Sequence, residues 1–328
     1  MKPVAAPGPP VAGTPCMTPP DPFVTPPLEL TVRVGCALAY ETTAPTPLLL
    51  VLKPQLGLRQ LILEERFVFG EGLPAEQLTD SHGNVVYRLI LKPGRSEIVH
   101  DAIFAVPSVP DNAGLPMAVV PVEHMPIEVL RYTMPSRYCD SDKLMQFVLE
   151  KFGHIPRGVE QVDAICTWAN ENIEYRFGSG SALISAWDVV QRGFGVCRDL
   201  AHVMVTLCRA MSYPARYVSG HVPDIGVVDP GSAMDFHAYA EVYLGGCWHT
   251  YDARYNKPRI GRIKIAQGLD AVDGAFATIY GAANLKRFEV WAYQVDQSEV
   301  RVGDPIDLSK RLDSDVVVRR SAIRGVTA

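Results

Sequence analysis

Residues 181–212 read SALISAWDVVQRGFGVCRDLAHVMVTLCRAMS and place one cysteine, Cys197, between a glycine-containing turn and a strongly apolar run. Apolar residues recur in that run at intervals of three and four, as in a helix with one buried face. They are Leu200, Val203, Met204, Leu207, Cys208 and Met211. Gly193 and Gly195 allow the tight backbone that enters such a helix. The pattern therefore predicts that Cys197 begins a buried helix.

A cysteine at a helix N-terminus is favoured as the thiolate, because unpaired N–H groups and aligned peptide dipoles stabilise an anion there. The thiolate is the nucleophilic form of the side chain, so Cys197 is a candidate catalytic residue. The competing interpretation is a buried cysteine that only fills the core, a common use of this residue type.

The composition argues against several classes of protein. The chain has 328 residues, 48% of them hydrophobic, which is enough for two domains. A net charge of −5 argues against nucleic acid as the main partner. The sequence contains no long apolar run typical of a membrane span, and prolines interrupt its start, so we expect a cytoplasmic protein. Seven scattered cysteines without a Cys-x-x-Cys pair argue against a disulfide scaffold.

Shifts in composition divide the chain into five segments. Residues 1–27 are rich in proline and are predicted to form a disordered tail. Strand-like runs over residues 28–106, separated by Pro, Gly, Asp and Asn, predict an antiparallel β-domain of sandwich type. We expect a proline-rich linker over residues 107–138, a catalytic domain over residues 139–295, and a loosely attached tail over residues 296–328.

Within the catalytic segment the patterns predict helices followed by strands. Helices are expected over residues 141–151 and 159–172, and a strand over residues 215–222. Two further strands, His237–Leu244 and Cys247–Tyr251, are separated by Gly245-Gly246, a two-residue hairpin signal. A last strand is expected over residues 286–294.

A cysteine nucleophile needs a base to take its proton and a third group to orient that base. His237 opens the first strand of the predicted hairpin, and Asp252 directly follows the second. In an antiparallel pair joined by a tight turn, these two residues lie about one register position from being directly opposite each other. The spacing therefore predicts a hydrogen bond between the His237 imidazole and the Asp252 carboxylate.

Residues 181–256, which include GVCRDLAHVMVTLCRAMSYPARYVSG and DFHAYAEVYLGGCWHTYDARYN, resemble the core of the transglutaminase-like superfamily. The resemblance is to its bacterial branch of predicted cysteine proteases, and it continues through GRIKIAQG to the strand near Trp291. It implies an α+β, papain-like fold in which a helix bearing the cysteine packs on an antiparallel sheet. The bacterial branch also has an N-terminal β-domain, in agreement with the all-β, sandwich-like region expected over residues 28–106.

The resemblance implies that Cys197 is the nucleophile, His237 the base and then the acid, and Asp252 the orienting group. The substrate would be a peptide or protein amide, and the intermediate a thioester. The oxyanion needs donors, of which the Cys197 backbone N–H is one candidate. For a second donor, Gln191 lies six residues before Cys197, a papain-like offset, and the indole N–H groups of Trp187 and Trp168 are the alternatives. The competing interpretations are that Gln191 is an exposed helix residue and that the two tryptophans only pack in the core.

A metal or cofactor is not expected. Cys197, His202, His237 and His249 lack the close-spaced pairs that structural zinc sites prefer. Arg198 follows the nucleophile where the eukaryotic cross-linking enzymes of the superfamily have tryptophan, and the chain has no calcium loop of EF-hand type. The first hypothesis is therefore a cysteine-dependent amide hydrolase. A transglutaminase-type acyltransferase and a non-catalytic scaffold or binding module remain the alternatives, and the sequence does not reveal the oligomeric state.

Overall fold

Two four-stranded antiparallel sheets form the N-terminal part of the protein. The computed structural model describes residues 26–57, 59–228, 231, 233–313 and 323. The strands of this part are β1 (Leu28–Thr42), β2 (Thr46–Leu50), β3 (Leu61–Phe69), β4 (Glu76–Thr79), β5 (Val85–Leu91), β6 (Gly94–Pro107), β13 (Ala277–Ile279) and β14 (Asn284–Gln294). Their order is β14-β1-β6-β3 in one sheet and β13-β2-β5-β4 in the other.

Alternation of apolar and polar residues explains how these strands pack. In β5, Tyr87, Leu89 and Leu91 are buried, whereas Arg88 and Ile90 between them are exposed. This period of two directs one face of the strand to the core and the other to solvent. The buried face shares one core with Leu48 of the neighbouring strand β2 and with Ile98 of β6 in the other sheet. The predicted all-β N-terminal region is thereby confirmed.

Helices and a third sheet follow. The helices are α1 (Ile127–Leu130), α2 (Ser141–Phe152), α3 (Val159–Asn172), α4 (Ala186–Arg192), α5 (Cys197–Ala210) and α6 (Ala271–Gly274). The third sheet contains β9 (Ala215–His221), β10 (His237–Leu244), β11 (Cys247–Tyr251) and β12 (Ile263–Gly268) in the order β11-β10-β9-β12. Two short strands, β7 (Glu174–Tyr175) and β8 (Phe194–Gly195), pair in parallel.

Helix α5 is the centre of this second part of the protein. Every residue from Asp199 to Ala210 is buried. The side chains of Leu200, Val203 and Leu207 share one core with α2, α3 and α4 and with the inner face of β10. Full burial of each such side chain contributes about 1.5–3 kcal/mol. A helix bearing the cysteine thus packs on an antiparallel sheet, and the predicted α+β fold class is confirmed.

The boundary predicted at residue 295 differs from the observed strand pairing. Strand β14 does not extend the sheet of α5; it pairs antiparallel with β1, from Val32 opposite Gln294 to Glu41 opposite Asn284. The Trp291 indole also donates a hydrogen bond to Asp101 Oδ1 on β6, at 3.1 Å. The chain therefore returns to the first sheet after the helices and the third sheet, and β14 covers the edge of β1 opposite β6.

The predicted linker and tail both make specific contacts. Residues 107–138 contain α1 and the 3₁₀ turns Val122–His124 and Arg131–Thr133, and the Ala118 carbonyl accepts a hydrogen bond from Gly245 N. In the segment predicted as a tail, Val300 is buried, and Gly303 N donates to Asp101 Oδ2 at 2.7 Å. These contacts attach Val300 and Gly303 to the part of the protein built on β1 and β6.

The tail predicted over residues 1–27 lies outside the described residues except for Pro26 and Pro27, as do residues 314–322 and 324–328. Within the described ranges, none of the helices has the length and apolar character needed to cross a membrane.

Candidate active site

The chain enters helix α5 through a turn that depends on two glycines. Gly193 ends α4 in the left-handed conformation, with φ of 73°, which side chains other than glycine rarely adopt. At Gly195 a Cβ atom would lie 2.7 Å from the Cβ of Asp199, closer than packed carbon atoms approach. Both glycines therefore set the position of Cys197, as the sequence predicted for the tight turn.

Asp199 holds the first turn of α5 in place. Its Oδ2 accepts a hydrogen bond from the Val196 backbone N–H at 3.1 Å and another from Arg192 at 3.1 Å. Its Oδ1 accepts one from Arg198 at 2.8 Å. The two guanidinium groups offset the charge of the buried carboxylate, which by itself would oppose a thiolate at Cys197.

The hairpin brings the predicted base and its partner together. In the observed register Leu244 pairs with Cys247 and Ala240 pairs with Tyr251, so Asp252 lies just beyond the paired end of β11. His237 Nε2 is 2.7 Å from Asp252 Oδ2, and both side chains are buried. The hydrogen bond predicted from the spacing is present.

His237 also interacts with Cys197, which is partly exposed. Burial by itself raises the pKa of the Cys197 thiol, but the hydrogen bond and charge of His237, the backbone of Ala238 and the charge of Arg254 lower it below its ordinary value. Burial lowers the pKa of His237, yet Asp252 and then Cys197 raise it above the ordinary value. The opposite shifts favour a thiolate paired with an imidazolium.

Arg262 is a member of the site that the sequence did not indicate. Its Nη2 donates to Asp252 Oδ2 at 2.8 Å, and its Nε donates to Asp111 Oδ2 at 2.7 Å. Asp252 Oδ1 accepts a further hydrogen bond from Arg254 N at 3.1 Å. Burial raises the pKa of Asp252, but His237 and Arg262 together hold it well below its ordinary range. Asp252 is therefore a stable anion that orients His237.

Aromatic and charged side chains surround the reactive pair. Arg254 lies between the rings of Tyr175 and Tyr255, at 3.7 and 4.9 Å from their centroids. The Tyr255 ring is 5.2 Å from that of His237. Tyr175 comes from β7, which pairs with the strand immediately before Cys197. These side chains form walls against which a substrate chain can pack.

The three candidate second oxyanion donors occupy different environments. Gln191 is exposed on α4, and Trp187 is half-buried against the helical core. The Trp168 ring packs edge-on against Phe147 and Phe152, with centroids 5.1 and 6.3 Å away. This packing is compatible with the competing interpretation that Trp168 only fills the core. The assignment of any of the three residues as an oxyanion donor stays a prediction.

The two other histidines that the sequence offered as possible zinc ligands, His202 and His249, lie elsewhere in the fold. His202 is buried inside α5, where its Nε2 accepts a hydrogen bond from Ala271 N at 3.1 Å, and burial holds its pKa well below the ordinary value. His249 Nε2 donates to the Pro116 carbonyl at 2.8 Å. No group of three or more His, Cys, Asp or Glu side chains within the described ranges is arranged to hold a metal ion.

Comparisons with known proteins identify the family of this fold. The family model of the Transglutaminase-like superfamily matches residues 146–253, a range that contains Cys197, His237 and Asp252. The crystal structure titled "Putative Cysteine Protease from Cytophaga hutchinsonii" is 30% identical, with a TM-score of 0.73. The alignment covers 82% of this chain and 92% of that one.

A curated relative, "Uncharacterized protein ML0607" from Mycobacterium leprae, is 33% identical over 101 residues. That match covers 30% of this chain and 35% of the relative, so it spans about a third of the relative's length. The fold and the site define a transglutaminase-like protein with a cysteine at the start of the central helix. The chain belongs to the transglutaminase-like superfamily.

Proposed function

We propose that the protein is a cysteine-dependent hydrolase of peptide or protein amides, with Cys197, His237 and Asp252 as its catalytic triad. The observation that carries the proposal is the position of His237, which interacts with the Cys197 thiol and lies 2.7 Å from Asp252. Membership in the superfamily and the similarity to a structure titled as a cysteine protease support a cysteine-type hydrolase or acyltransferase in general.

In the first half of the reaction the Cys197 thiolate attacks the carbonyl carbon of the amide. The C–S bond forms as the carbonyl π electrons move to oxygen, which becomes an oxyanion. The N–H groups of the first turn of α5 have no partners within the helix, and the Cys197 N–H is our candidate donor to that oxygen. The tetrahedral intermediate then collapses, the C–N bond breaks, and the imidazolium of His237 protonates the leaving amine.

In the second half a water molecule replaces the amine. His237, now neutral, takes a proton from the water as it attacks the thioester carbonyl carbon. Collapse of the second tetrahedral intermediate breaks the C–S bond, releases a carboxylic acid and regenerates the thiolate beside the imidazolium. Asp252, held by Arg262, keeps the His237 ring in one orientation through both halves.

The experiment that tests the proposal incubates the full chain with denatured casein and a fluorescent primary amine. New amino termini, or ammonia released without incorporation of the amine, support a hydrolase when they disappear in Cys197→Ala. Incorporation of the amine into casein would instead identify an acyltransferase. The absence of both kinds of product would favour a non-catalytic scaffold. A thermal unfolding curve of Cys197→Ala close to that of the wild type is the control for folding.

The cytoplasmic location and the absence of a nucleic-acid partner remain predictions from the composition.

A further inference from the structure

A cavity of about 1280 Å³ lies behind the sheet that carries His237 and Asp252. Tyr239 and Glu241 of β10 line it, whereas Ala240 and Val242, which alternate with them, belong to the core around α5. The cavity is therefore on the face of the sheet opposite α5. Cys197 and His237 are not among the described residues that line it. Its volume exceeds the roughly 300–1,000 Å³ of typical small-molecule sites, so it has room for a ligand of that size.

Most of the cavity wall is apolar. The wall comes from the segment after β6, from the loop between β2 and β3, and from β11. Leu56, Val109, Leu115 and Trp248 contribute large apolar side chains. Such a wall suits the hydrocarbon part of a ligand, because apolar surface gains free energy when it leaves water.

One wall carries a buried guanidinium with unused donors. The Arg262 side chain is 5% exposed. Its Nε and Nη2 bind Asp111 and Asp252, but its Nη1 is buried and has no hydrogen-bond partner among the described residues. An unmade hydrogen bond at a buried charged group costs free energy that a ligand oxygen would recover.

The ion-pair network around Tyr239 has one positive charge in excess. Arg216 and Lys264 both pair with Glu241, while Arg262 lies between Asp111 and Asp252. Arg59 adds a further cation near Asp111. Apart from His237, whose charge is balanced by the Cys197 thiolate, the network contains four cations against three carboxylates, and it complements one additional anion. The cations are Arg59, Arg216, Arg262 and Lys264, and the carboxylates are Asp111, Glu241 and Asp252.

We infer that this cavity binds an amphiphilic monocarboxylate, with the carboxylate accepting hydrogen bonds from Arg262 Nη1 and the apolar body lying along Leu115 and Trp248. The same chemistry occurs in a fatty acid and at the C-terminus of an apolar peptide. Arg262 also holds Asp252, so the ligand would adjoin the catalytic triad; any effect on the reactivity of Cys197 rests on the proposed function, whereas binding does not.

Calorimetric titration of the full chain with octanoate and with octanol tests the inference. Both probes have the same chain length, but only octanoate has a carboxylate. We expect octanoate to bind about tenfold more tightly or better, because hydrogen bonds between two charged groups are among the stronger ones. An apolar tetrapeptide with a free C-terminus, compared with its C-terminal amide, distinguishes the peptide source from the fatty acid.

Three variants make the result specific to the cavity. Arg262→Gln should remove the preference for the carboxylate, and Arg88→Gln, which alters an exposed arginine of β5, should leave it unchanged. Leu115→Trp fills the cavity without altering an ion pair, so it should weaken the binding of both octanoate and octanol. This variant tests the site even if Arg262→Gln fails to fold. Equal binding of octanoate and octanol, or full binding to Leu115→Trp, would overturn the inference. Neither result depends on whether the protein hydrolyses amides.

Discussion

Among the single residues of the site, Asp252 matters because it is an anion that two cationic groups share. We expect Asp252→Asn to lower kcat/KM by about 10²–10⁴-fold, because the amide no longer holds His237 in its productive orientation. Asp252 raises the pKa of His237, so its loss should also shift the alkaline limb of the pH–rate profile to lower pH. The profile is measured on the casein reaction, with Asp142→Asn on the exposed first turn of α2 as the control. An unchanged alkaline limb would count against the assigned role.

The sequence was enough to propose the three residues of the triad, but not the side chains that hold them in place. The positions of Cys197, His237 and Asp252 are marked by local patterns, namely a glycine turn before an apolar helix and a hairpin with a two-residue loop, whereas their proposed roles come from the family resemblance. Arg262 has no local signal, because its partner Asp111 lies 151 positions earlier in a proline-rich segment. A second oxyanion donor is equally hard to predict, since it depends on where loops meet in space.

Among the helices and strands, the start of α5 determines where the nucleophile lies. We expect Gly195→Ala to destabilise the fold and to slow alkylation of Cys197, because the added methyl would force Asp199 and the first turn of α5 to shift. Gly57→Ala is the matched control, since nothing lies within 4 Å of a Cβ at that position. Thermal unfolding and alkylation rate are measured on both variants. Equal behaviour of the two would show that the close approach at Gly195 is not needed.

The buried ion pairs on β10 lead to a second prediction for a single element. Burial raises the pKa of Glu241, but Arg216 and Lys264 lower it to about 2, from an ordinary value of 4.5. A carboxyl with a lowered pKa binds more protons in the unfolded state, so its contribution is present above pH 4.5 and is lost as the pH falls toward 2. Glu241→Gln should flatten the dependence of stability on pH between those values.

The same variant should be less stable at pH 7 by roughly 3–5 kcal/mol, because it leaves Arg216 and Lys264 without their carboxylate. Chemical unfolding at pH 7 and at several lower pH values measures both effects. Glu76→Gln, at an exposed ion pair of β4, is the control and should change little. If Glu241→Gln retained the wild-type pH dependence, the Glu241 ion pairs could not be its source.

Across the whole molecule, the two parts of the protein share an extensive boundary. Gln60 exchanges hydrogen bonds with the backbone of Lys264, and Asn84 does so with Gln267. Ile225 and Ile263 pack in one core with Val32 of β1. A fragment of residues 107–283 would expose these apolar side chains to water. We therefore expect residues 26–313 to unfold cooperatively and the fragment to lack a cooperative transition, as measured by calorimetry. A fragment that unfolds cooperatively at a similar temperature would contradict this prediction.

Local sequence patterns predict the elements of this architecture better than their pairing. The alternation in residues 28–106 and the helical period after Cys197 predict the β-rich part and the α+β part correctly. The return of β14 to β1 was missed, because a strand of 11 residues contains no information about which of two sheets it joins. The apolar contacts of Trp291 and Ala292 with the first sheet decide that choice only in three dimensions.

The proposed chemistry requires that Cys197 and His237 form a thiolate–imidazolium pair, and the pH dependence of Cys197 alkylation tests this pair most directly. Iodoacetamide labelling of the wild type and of His237→Ala is followed by peptide mass spectrometry, with the partly exposed Cys247 as an internal comparison. We predict that Cys197 in the wild type reacts well below the pH at which a free thiol ionises, and that His237→Ala abolishes this advantage. Reaction of Cys197 as an ordinary thiol in both proteins would contradict the pairing and, with it, the proposed catalytic role.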